Sequence, residues 1–314
     1  MADITETGVQ TATATNTATN TATAAAPTRP KKRIKWETVG DHAVLIAGAL
    51  LMLVPVYMIL ASSTHEDILI HREGLQFFFG DDGLENYNAA LFEYGGFTNS
   101  VNGVTMLVNS MILGFGFAIG KIVVGMMAAY AIVYFRLRFA TFAFWMIFTT
   151  LLLPLEVRIL PSYEVIQQMN LANTYTGLIL PLIASATATF FFRQFFRSIP
   201  EELVEAARID GAGPVKFFID ILVPLSRTMI AAMFIIMFVF GWNQYLWPTL
   251  ITTDESLFTL VRGIRQIMQA YADGSSTPEY GEAAALAIIA MTPPVLIVIF
   301  FQNWFVKGLT ESDK

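Results

Sequence analysis

Several residue types that build common functional sites are scarce or absent in this chain. The 314 residues include no cysteine, which excludes disulfides and thiolate-bound metals. The three histidines, His42, His65 and His71, are scattered near the first apolar stretch, so no metal site is expected. The phosphate-binding pattern G-x-x-x-x-G-K-[ST] is also missing. The chain is therefore expected to bind no cofactor and to hydrolyse no ATP by itself.

Charge is scarce as well, and long apolar stretches take its place. Only 14% of the residues are charged and the mean hydropathy is +0.56. Six stretches carry little or no charge over about 20 residues, the length that crosses a hydrocarbon core of ~30 Å. These stretches are 43–61, 105–133, 139–155, 171–192, 228–253 and 283–306. The sequence thus predicts an all-α polytopic membrane protein with six transmembrane helices embedded in a lipid bilayer.

The lysines and arginines predict the orientation of these spans. With six spans, fourteen basic residues fall on one side: Arg29, Lys31, Lys32, Arg33, Lys35, Arg136, Arg138, Arg193, Arg197, Arg208, Lys216, Arg227, Lys307 and Lys314. The other side holds only Arg72, Arg158, Arg262 and Arg265. Because basic loops stay inside, both termini are predicted to be cytoplasmic. The net charge of −6 comes mostly from the outer loops and indicates no nucleic acid partner.

The connector SIPEELVEAARIDGAGPVKFFIDILVP, residues 198–224, is the most informative segment. Ser198 and Glu201 have the spacing of a capping box, and Gly211 stands where a C-terminal cap belongs. Pro214 is expected to open a second short helix and Pro224 to close it. Two short helices between long apolar runs suggest a surface on which another protein docks. The alternative is an ordinary amphipathic helix at the membrane surface.

Six positions of this connector follow the spacing E-A-A-x3-G-x9-I-x-L-P. They are Glu205, Ala206, Ala207, Gly211, Ile221 and Pro224, with Val223 in place of the motif leucine. The pattern resembles the cytoplasmic loop of permease subunits of binding-protein-dependent ABC importers. The resemblance implies a type I ABC importer permease fold, and it implies that these six residues couple the permease to an ATPase subunit.

A narrower resemblance covers about residues 36–314. LLLPLEVRILPSYEVI, GLILPLIASATATFFFRQFF and GWNQYLWP look like the permeases of sn-glycerol-3-phosphate importers, in the carbohydrate-uptake branch that includes maltose permeases. This implies import of glycerol-3-phosphate or glycerophosphodiesters across the bacterial cytoplasmic membrane. The implied partners are a homologous second permease, two ATPase subunits holding ATP and magnesium, and an extracytoplasmic solute-binding protein. A permease for neutral sugars or oligosaccharides is the alternative; a self-sufficient secondary transporter or membrane enzyme is disfavoured.

Ionisable residues inside apolar stretches are costly and commonly face a cavity or a partner. Lys121 lies within the second stretch and is a candidate contact for an anionic solute; the alternatives are a pair with a carboxylate and snorkelling. Glu156 and Arg158 follow Pro154 at the end of the third stretch. Arg158 is a candidate phosphate contact. Alternatively, both residues hold a hinge, and they can pair only if the helix breaks between them.

The fifth stretch carries the pair Asn243 and Gln244 within GWNQYLWP. Amide groups beside aromatic rings suit a hydroxylated solute, which makes the pair a candidate part of the translocation path. The alternative is that the amides link helices and that Trp242 and Trp247 mark the membrane interface.

The domain organisation follows from these features. Residues 1–35 are expected to be a disordered cytoplasmic Thr/Ala-rich tail that ends in a basic cluster and is not a signal peptide. Residues 36–104 form the first span and an outer loop, which either contacts the binding protein or is a solvated cap. Residues 105–306 form the transmembrane core with its coupling loop at 197–228, and 307–314 form a cytoplasmic tail.

The predicted topology can be tested with single cysteines, because the chain contains none. In Asp81→Cys and Asp273→Cys, a membrane-impermeant maleimide is expected to label intact cells. In Gly211→Cys it is expected to label only after the membrane is opened. Labelling of Gly211→Cys from outside would overturn the orientation.

Overall fold

The computed structural model describes residues 36–93, 101–135, 137–272, 274 and 279–310. The described part is helical. Its helices are Trp36–Ser62 (α1), Asp67–Glu73 (α2), Gly83–Phe92 (α3), Gly103–Tyr134 (α4), Ala140–Thr149 (α5), Leu155–Gln168 (α6), Tyr175–Ile179 (α7), Ala186–Arg197 (α8), Glu201–Ile209 (α9), Pro214–Lys216 (α10), Val223–Leu225 (α11), Arg227–Trp242 (α12), Leu246–Ile251 (α13), Leu260–Ala272 (α14) and Tyr280–Thr310 (α15). A π-helical turn, Phe217–Leu222, connects α10 to α11. The predicted tail at residues 1–35 and the end at 311–314 lie outside the described residues.

Three segments of the described chain are long and apolar enough to cross a membrane: Gly40–Ser62, Gly103–Tyr134 and Tyr280–Gln302. The count reaches six only if each of three bent helix pairs is one span. The fourth predicted span, 171–192, is bent by 50° between Leu182 and Ala186. The fifth, 228–253, is not continuous, because α12 ends at Trp242 and α13 begins at Leu246. Prolines and polar residues at these points interrupt the helical hydrogen bonds.

Helix α4 lies at the centre of the core and packs against α8 and α12, while α12 also packs against α15. Small residues make the close approach possible. A Cβ atom added at Gly241 of α12 would lie 2.7 Å from Cβ of Phe117 and 3.3 Å from Cα of Gly114, both on α4. The buried rings of Phe117 and Phe238 fill the space around this crossing.

The segment between the first two spans folds into a cap over the N-terminal end of α15. Helices α2 and α3 both pack against α15. Asp67 Oδ1 accepts a hydrogen bond from the Gly281 amide at 2.8 Å, and Asn86 Nδ2 donates to the carbonyls of Ser63 and His65. A carboxylate at the start of a helix is favourable because it faces free N–H groups. The predicted outer loop therefore has a fixed structure over residues 62–93.

Candidate functional site

The 198–224 connector forms two short helices, but its first helix begins differently from the predicted capping box. Ser198 Oγ donates to the Phe195 carbonyl at 2.7 Å and so completes the last turn of α8. The cap position of α9 is Pro200, with no side-chain hydrogen bond, and Glu201 is the first residue of α9. The capping-box prediction is wrong because the preceding helix runs to Arg197 and uses the serine hydroxyl itself.

The end of α9 agrees with the sequence prediction. Gly211 has φ +74°, the left-handed conformation that glycine adopts at little cost. Its amide donates to the Arg208 carbonyl at 3.1 Å, and the Ala212 amide donates to the Ala207 carbonyl at 2.9 Å. These two bonds are the Schellman arrangement. A Cβ at Gly211 would meet no atom within 4 Å, so only the backbone conformation restricts this position.

The second helix starts at Pro214 as predicted, but it does not end at Pro224. The helical path continues to Leu225, and the chain then bends by 76° into α12. Ser226 forms this bend, and its hydroxyl donates to the Leu222 carbonyl at 2.6 Å.

The six motif residues do not share one exposed face. Glu205, Ala206, Gly211 and Pro224 are exposed, and Ile221 is half-buried. Ala207 is only 5% exposed and packs inside its own chain. It lines a cavity of about 230 Å³ with Tyr130, Tyr134 and Phe217 among its walls. Ala207 therefore packs α9 against the rest of its own chain, whereas Glu205 and Ala206 are exposed to solvent.

Two tyrosines on α4 hold the connector and the end of α8 by hydrogen bonds. The sequence analysis did not identify them. Tyr130 Oη donates to the Pro214 carbonyl at 2.9 Å, and Tyr134 Oη donates to the Phe196 carbonyl at 3.2 Å. The spacing of four residues places both hydroxyls on one face of α4. That spacing, near the end of an apolar helix, was the signal that sequence reasoning missed.

Lys121 on α4 is buried, with 7% of its surface exposed. Its Nζ lies 4.4 Å from the ring centroid of Phe240 and 5.3 Å from that of Phe117, so aromatic faces stabilise its charge. No carboxylate lies within ion-pair distance of Nζ among the side chains that the structure describes. The predicted alternative of a buried ion pair therefore has no support in this part of the chain.

Arg158 is exposed on α6, and its positive charge acts on Lys121. The structure thus brings two of the predicted solute contacts into electrostatic reach of each other. Glu156 lies in the same helix, and its side chain is outside the described part. Helix α6 runs unbroken from Leu155 to Gln168, so the helix break on which the predicted pair of residues 156 and 158 depends is absent.

Asn243 and Gln244 occupy the break between α12 and α13. Asn243 is exposed and donates from Nδ2 to the Val239 carbonyl at 2.9 Å. Gln244 is buried and donates from Nε2 to the Phe240 carbonyl at 3.1 Å. Both amides bond within their own segment, so neither links helices. Gln244 is thereby held beside Phe240, whose ring carries the Lys121 ammonium.

The two tryptophans of this motif are buried and do not mark a membrane interface. The Trp242 indole donates to the Ala290 carbonyl at 3.0 Å, and the Trp247 indole donates to the Leu178 carbonyl at 2.9 Å. Trp242 is 2% exposed and Trp247 is fully buried. The membrane-interface interpretation of these tryptophans is wrong, because their indoles are hydrogen-bonded inside the protein and link α12 to α15 and α13 to α7.

A buried polar anchor that the sequence analysis missed joins α4 to the segment before α14. Asn109 Nδ2 donates to the carbonyls of Ser256 and Phe258 at 2.7 and 2.8 Å, and its Oδ1 accepts from Tyr175 Oη at 2.6 Å. The neighbouring Ser110 Oγ accepts from the Leu260 amide at 2.8 Å. The main-chain partners are 147 to 150 positions away in sequence and Tyr175 is 66 away, so no local pattern indicates them.

Arg262 is a second missed anchor. Its Nη1 donates to the Pro248 carbonyl and to the carbonyl and hydroxyl of Thr252, and its guanidinium lies 3.7 Å from the Phe258 ring centroid. Burial lowers the pKa of Arg262 to about 10, so the group stays charged at neutral pH. Sequence reasoning had used this arginine only to assign topology.

Comparison with known proteins places the chain in a class. Residues 121–311 match the family described as binding-protein-dependent transport system inner membrane component. A protein of Brucella melitensis biotype 1 is 48% identical over 276 residues, which cover 87% of this chain and 96% of the relative. The chain therefore belongs to this family of ABC importer permeases, and as a permease subunit it is not itself an enzyme.

The relatives also carry specific names. The Brucella protein is named sn-glycerol-3-phosphate transport system permease protein UgpE, as is a protein of Yersinia pestis bv. Antiqua that is 47% identical over 273 residues, covering 87% of this chain and 96% of its own. The fold also matches a crystal structure of a bacterial ABC transporter involved in the import of the acidic polysaccharide alginate. That match has a TM-score of 0.72 at 18% identity and covers 86% of this chain and 96% of the other.

The polar anchor at Asn109 leads to a stability prediction. Asn109→Leu leaves two backbone carbonyls and the Tyr175 hydroxyl without their partner, and each buried unsatisfied group costs about 1–3 kcal/mol. We expect a clear loss of thermal stability in the purified detergent-solubilised protein. Asn243→Leu is the matched control, because this amide is exposed and bonds only to its own helix; its melting temperature should stay close to wild type. Equal melting temperatures for both variants would contradict the anchor.

Proposed function

We propose that this chain is one of the two permease subunits of an ATP-driven importer of sn-glycerol-3-phosphate or glycerophosphodiesters. The observation that carries the proposal is the buried ammonium group of Lys121, which lies over the rings of Phe117 and Phe240 and has no carboxylate within ion-pair distance among the described side chains. The names of the relatives support the same solute class.

The electrostatics of Lys121 favour an anionic solute. A buried ammonium group without a carboxylate partner is costly in a membrane protein, and aromatic faces compensate only part of that cost. A phosphate group near Lys121 and Arg158 supplies the missing negative charge. Arg158 is exposed and offers a planar fork of N–H donors, which matches phosphate oxygens in a bidentate arrangement.

The polar pair at the α12–α13 break suits the rest of such a solute. Asn243 is exposed there, and its amide oxygen has no hydrogen-bond donor within the described chain. Hydroxyl groups of a glycerol moiety are suitable donors to this oxygen. A neutral sugar could use the same amide but would leave the two cations without an anion, which disfavours the neutral-sugar alternative.

The assembly follows from the same class. We propose six spans with both termini in the bacterial cytoplasm: the three long helices, the bent pairs Ala140–Leu152 with Val157–Gln168 and Tyr175–Leu182 with Ala186–Arg197, and α12 together with α13. A homologous permease would complete the path, and a binding protein would deliver the solute from outside. Two ATPase subunits would hold ATP and magnesium, because this chain has no phosphate-binding motif of its own.

We assign the coupling role to the connector between α8 and α12. The exposed residues Glu205 and Ala206 would contact the ATPase, while Ala207 and Gly211 would fix the shape of the docking helix. Ile221 and Pro224 would transmit its movement towards α12 through the bend at Ser226. Closure of the ATPase dimer on ATP would then move the connector and expose the solute path to the outside, and hydrolysis would reset it.

Backbone strain at Gly211 provides a test of coupling. Gly211→Val places a β-branched residue in a left-handed conformation, at a cost of roughly 1–2 kcal/mol. We expect the variant to insert in the membrane but to lose most ATPase co-purification and solute uptake. Gly211→Asn is the matched control, since asparagine tolerates this conformation; it should retain both. Wild-type ATPase co-purification together with wild-type solute uptake in Gly211→Val would exclude the docking hypothesis.

Removal of the two cations tests the solute class. In Lys121→Met and Arg158→Met we expect uptake of sn-glycerol-3-phosphate to fall at least ~10-fold per assembled complex, equivalent to about 1.4 kcal/mol. Lys121→Arg keeps the charge and should lose less. Complex yield is measured first, because loss of a buried charge can also affect the fold. Intact assembly with unchanged uptake and solute-stimulated ATPase activity in both methionine variants would exclude these residues as phosphate contacts.

A further inference from the structure

Two arginines on α14 are three positions apart but have different environments. Arg262 is buried, and its Nη1 is committed to carbonyl groups of Pro248 and Thr252. Arg265 is exposed, and its guanidinium lies over the ring of Tyr245, 4.4 Å from the centroid. No carboxylate lies within ion-pair distance of Arg265 among the side chains that the structure describes. Arg262 is therefore a structural anchor, whereas Arg265 keeps its hydrogen-bond donors available.

The position of Arg265 matters because Tyr245 belongs to the α12–α13 break. Phe240 and Tyr245 are five positions apart in the chain and flank the pair Asn243 and Gln244. Lys121 Nζ lies 4.4 Å from the centroid of the Phe240 ring, and the Arg265 guanidinium lies at the same distance from the centroid of the Tyr245 ring. Each end of this short polar segment thus carries a cation held on an aromatic face.

Stacking determines how Arg265 can interact. A guanidinium that rests on a ring uses its flat face, so the N–H groups around its edge remain free for an acceptor in the same plane. Two of these N–H groups match two phosphate oxygens. The tyrosine ring also restricts the side chain, so little rotational freedom remains to be lost when an anion binds.

The anchors of α14 fix Arg265 beside the break. Asn109 and Ser110 of α4 bind the backbone at Phe258 and Leu260, and Arg262 binds the end of α13. Arg265 follows Arg262 by one helical turn. A cation on such a supported helix is positioned before the solute arrives.

We propose that Arg265 is a specificity-determining residue for phosphate monoesters, which it contacts on the outer side of the solute path before the phosphate reaches Lys121. This inference rests on the proposed function and extends it, because it assigns a third phosphate contact on a helix outside the apolar spans. Tyr245 is a positioning residue, which acts by orienting the guanidinium.

Solute charge separates a phosphate contact from a structural role. Around pH 8 a phosphate monoester carries close to two negative charges, since its second pKa is about 6, whereas a diester carries one. A cation that binds the phosphate should therefore contribute more to uptake of the monoester than to uptake of the diester. The experiment uses the full complex with its binding protein in proteoliposomes and compares uptake of sn-glycerol-3-phosphate with uptake of glycerophosphoglycerol, both per assembled complex.

For Arg265→Met and Arg265→Gln we expect uptake of the monoester to fall about tenfold and uptake of the diester to fall much less. Arg265→Lys should recover part of the monoester uptake because it restores the charge. Arg262→Met is the matched control: it should lower the melting temperature and the yield of complex without changing the ratio of the two solutes. Two neutral variants at Arg265 keep the test decisive if one of them assembles poorly.

Three outcomes would overturn the inference: wild-type uptake of both solutes in the neutral Arg265 variants, an equal loss for both solutes, or failure of both neutral variants to assemble. If Lys121→Met loses monoester uptake while Arg265→Gln does not, only the role of Arg265 fails and the proposed function stands. If the wild-type complex takes up neither phosphoester, the proposed function fails and this inference falls with it.

Discussion

A helix that breaks inside an apolar environment leaves backbone carbonyl and N–H groups without partners, and these groups must be bonded again within the protein. The described fold meets this requirement at several of its interruptions. The Trp247 indole binds the Leu178 carbonyl, the Ser226 hydroxyl binds the Leu222 carbonyl, and Arg262 binds the carbonyls of Pro248 and Thr252. The polar side chains inside this apolar chain are therefore mainly the partners of interrupted helices.

The need to bond main-chain groups freed by helix breaks also separates structural polar residues from the proposed solute contacts. Asn109, Ser110 and Arg262 are buried and have their hydrogen bonds directed at main-chain groups. Lys121 is buried with its Nζ over the rings of Phe117 and Phe240, and Arg158 is exposed. The distinction comes from what each polar atom contacts, because residue type does not make it: Arg262 and Arg158 fall in different groups.

The sequence predicted features that are determined by residues close to one another along the chain. The second apolar stretch, 105–133, matches α4 at Gly103–Tyr134, because a long uncharged run has no competing local structure. Gly211 and Pro214 were identified because a left-handed cap and a first helical turn require those residue types. The Ser198 cap failed because whether a serine begins one helix or completes the preceding one depends on where that helix ends.

Other features were beyond the sequence because they depend on distant partners. The bends within the fourth and fifth stretches, the burial of Ala207 and the bonds of Asn109 all involve groups on other helices. For the candidate site, the residue types at Lys121 and Arg158 suggested solute contacts, but the rings of Phe117 and Phe240 around Lys121 required the fold. Arg265 gave no distinct pattern, since single basic residues are common in polar helices.

The connector between α8 and α12 owes its shape to main-chain bonds at Gly211 and to Tyr130 on α4, and its exposed side chains contribute little to that shape. The surface at Glu205 and Ala206 can therefore change independently of the scaffold beneath it. Under the proposed coupling role, such a division would allow one permease to be matched to a different ATPase subunit by exchanging a few surface residues. The connector would then be an exchangeable docking surface on an unchanged membrane core.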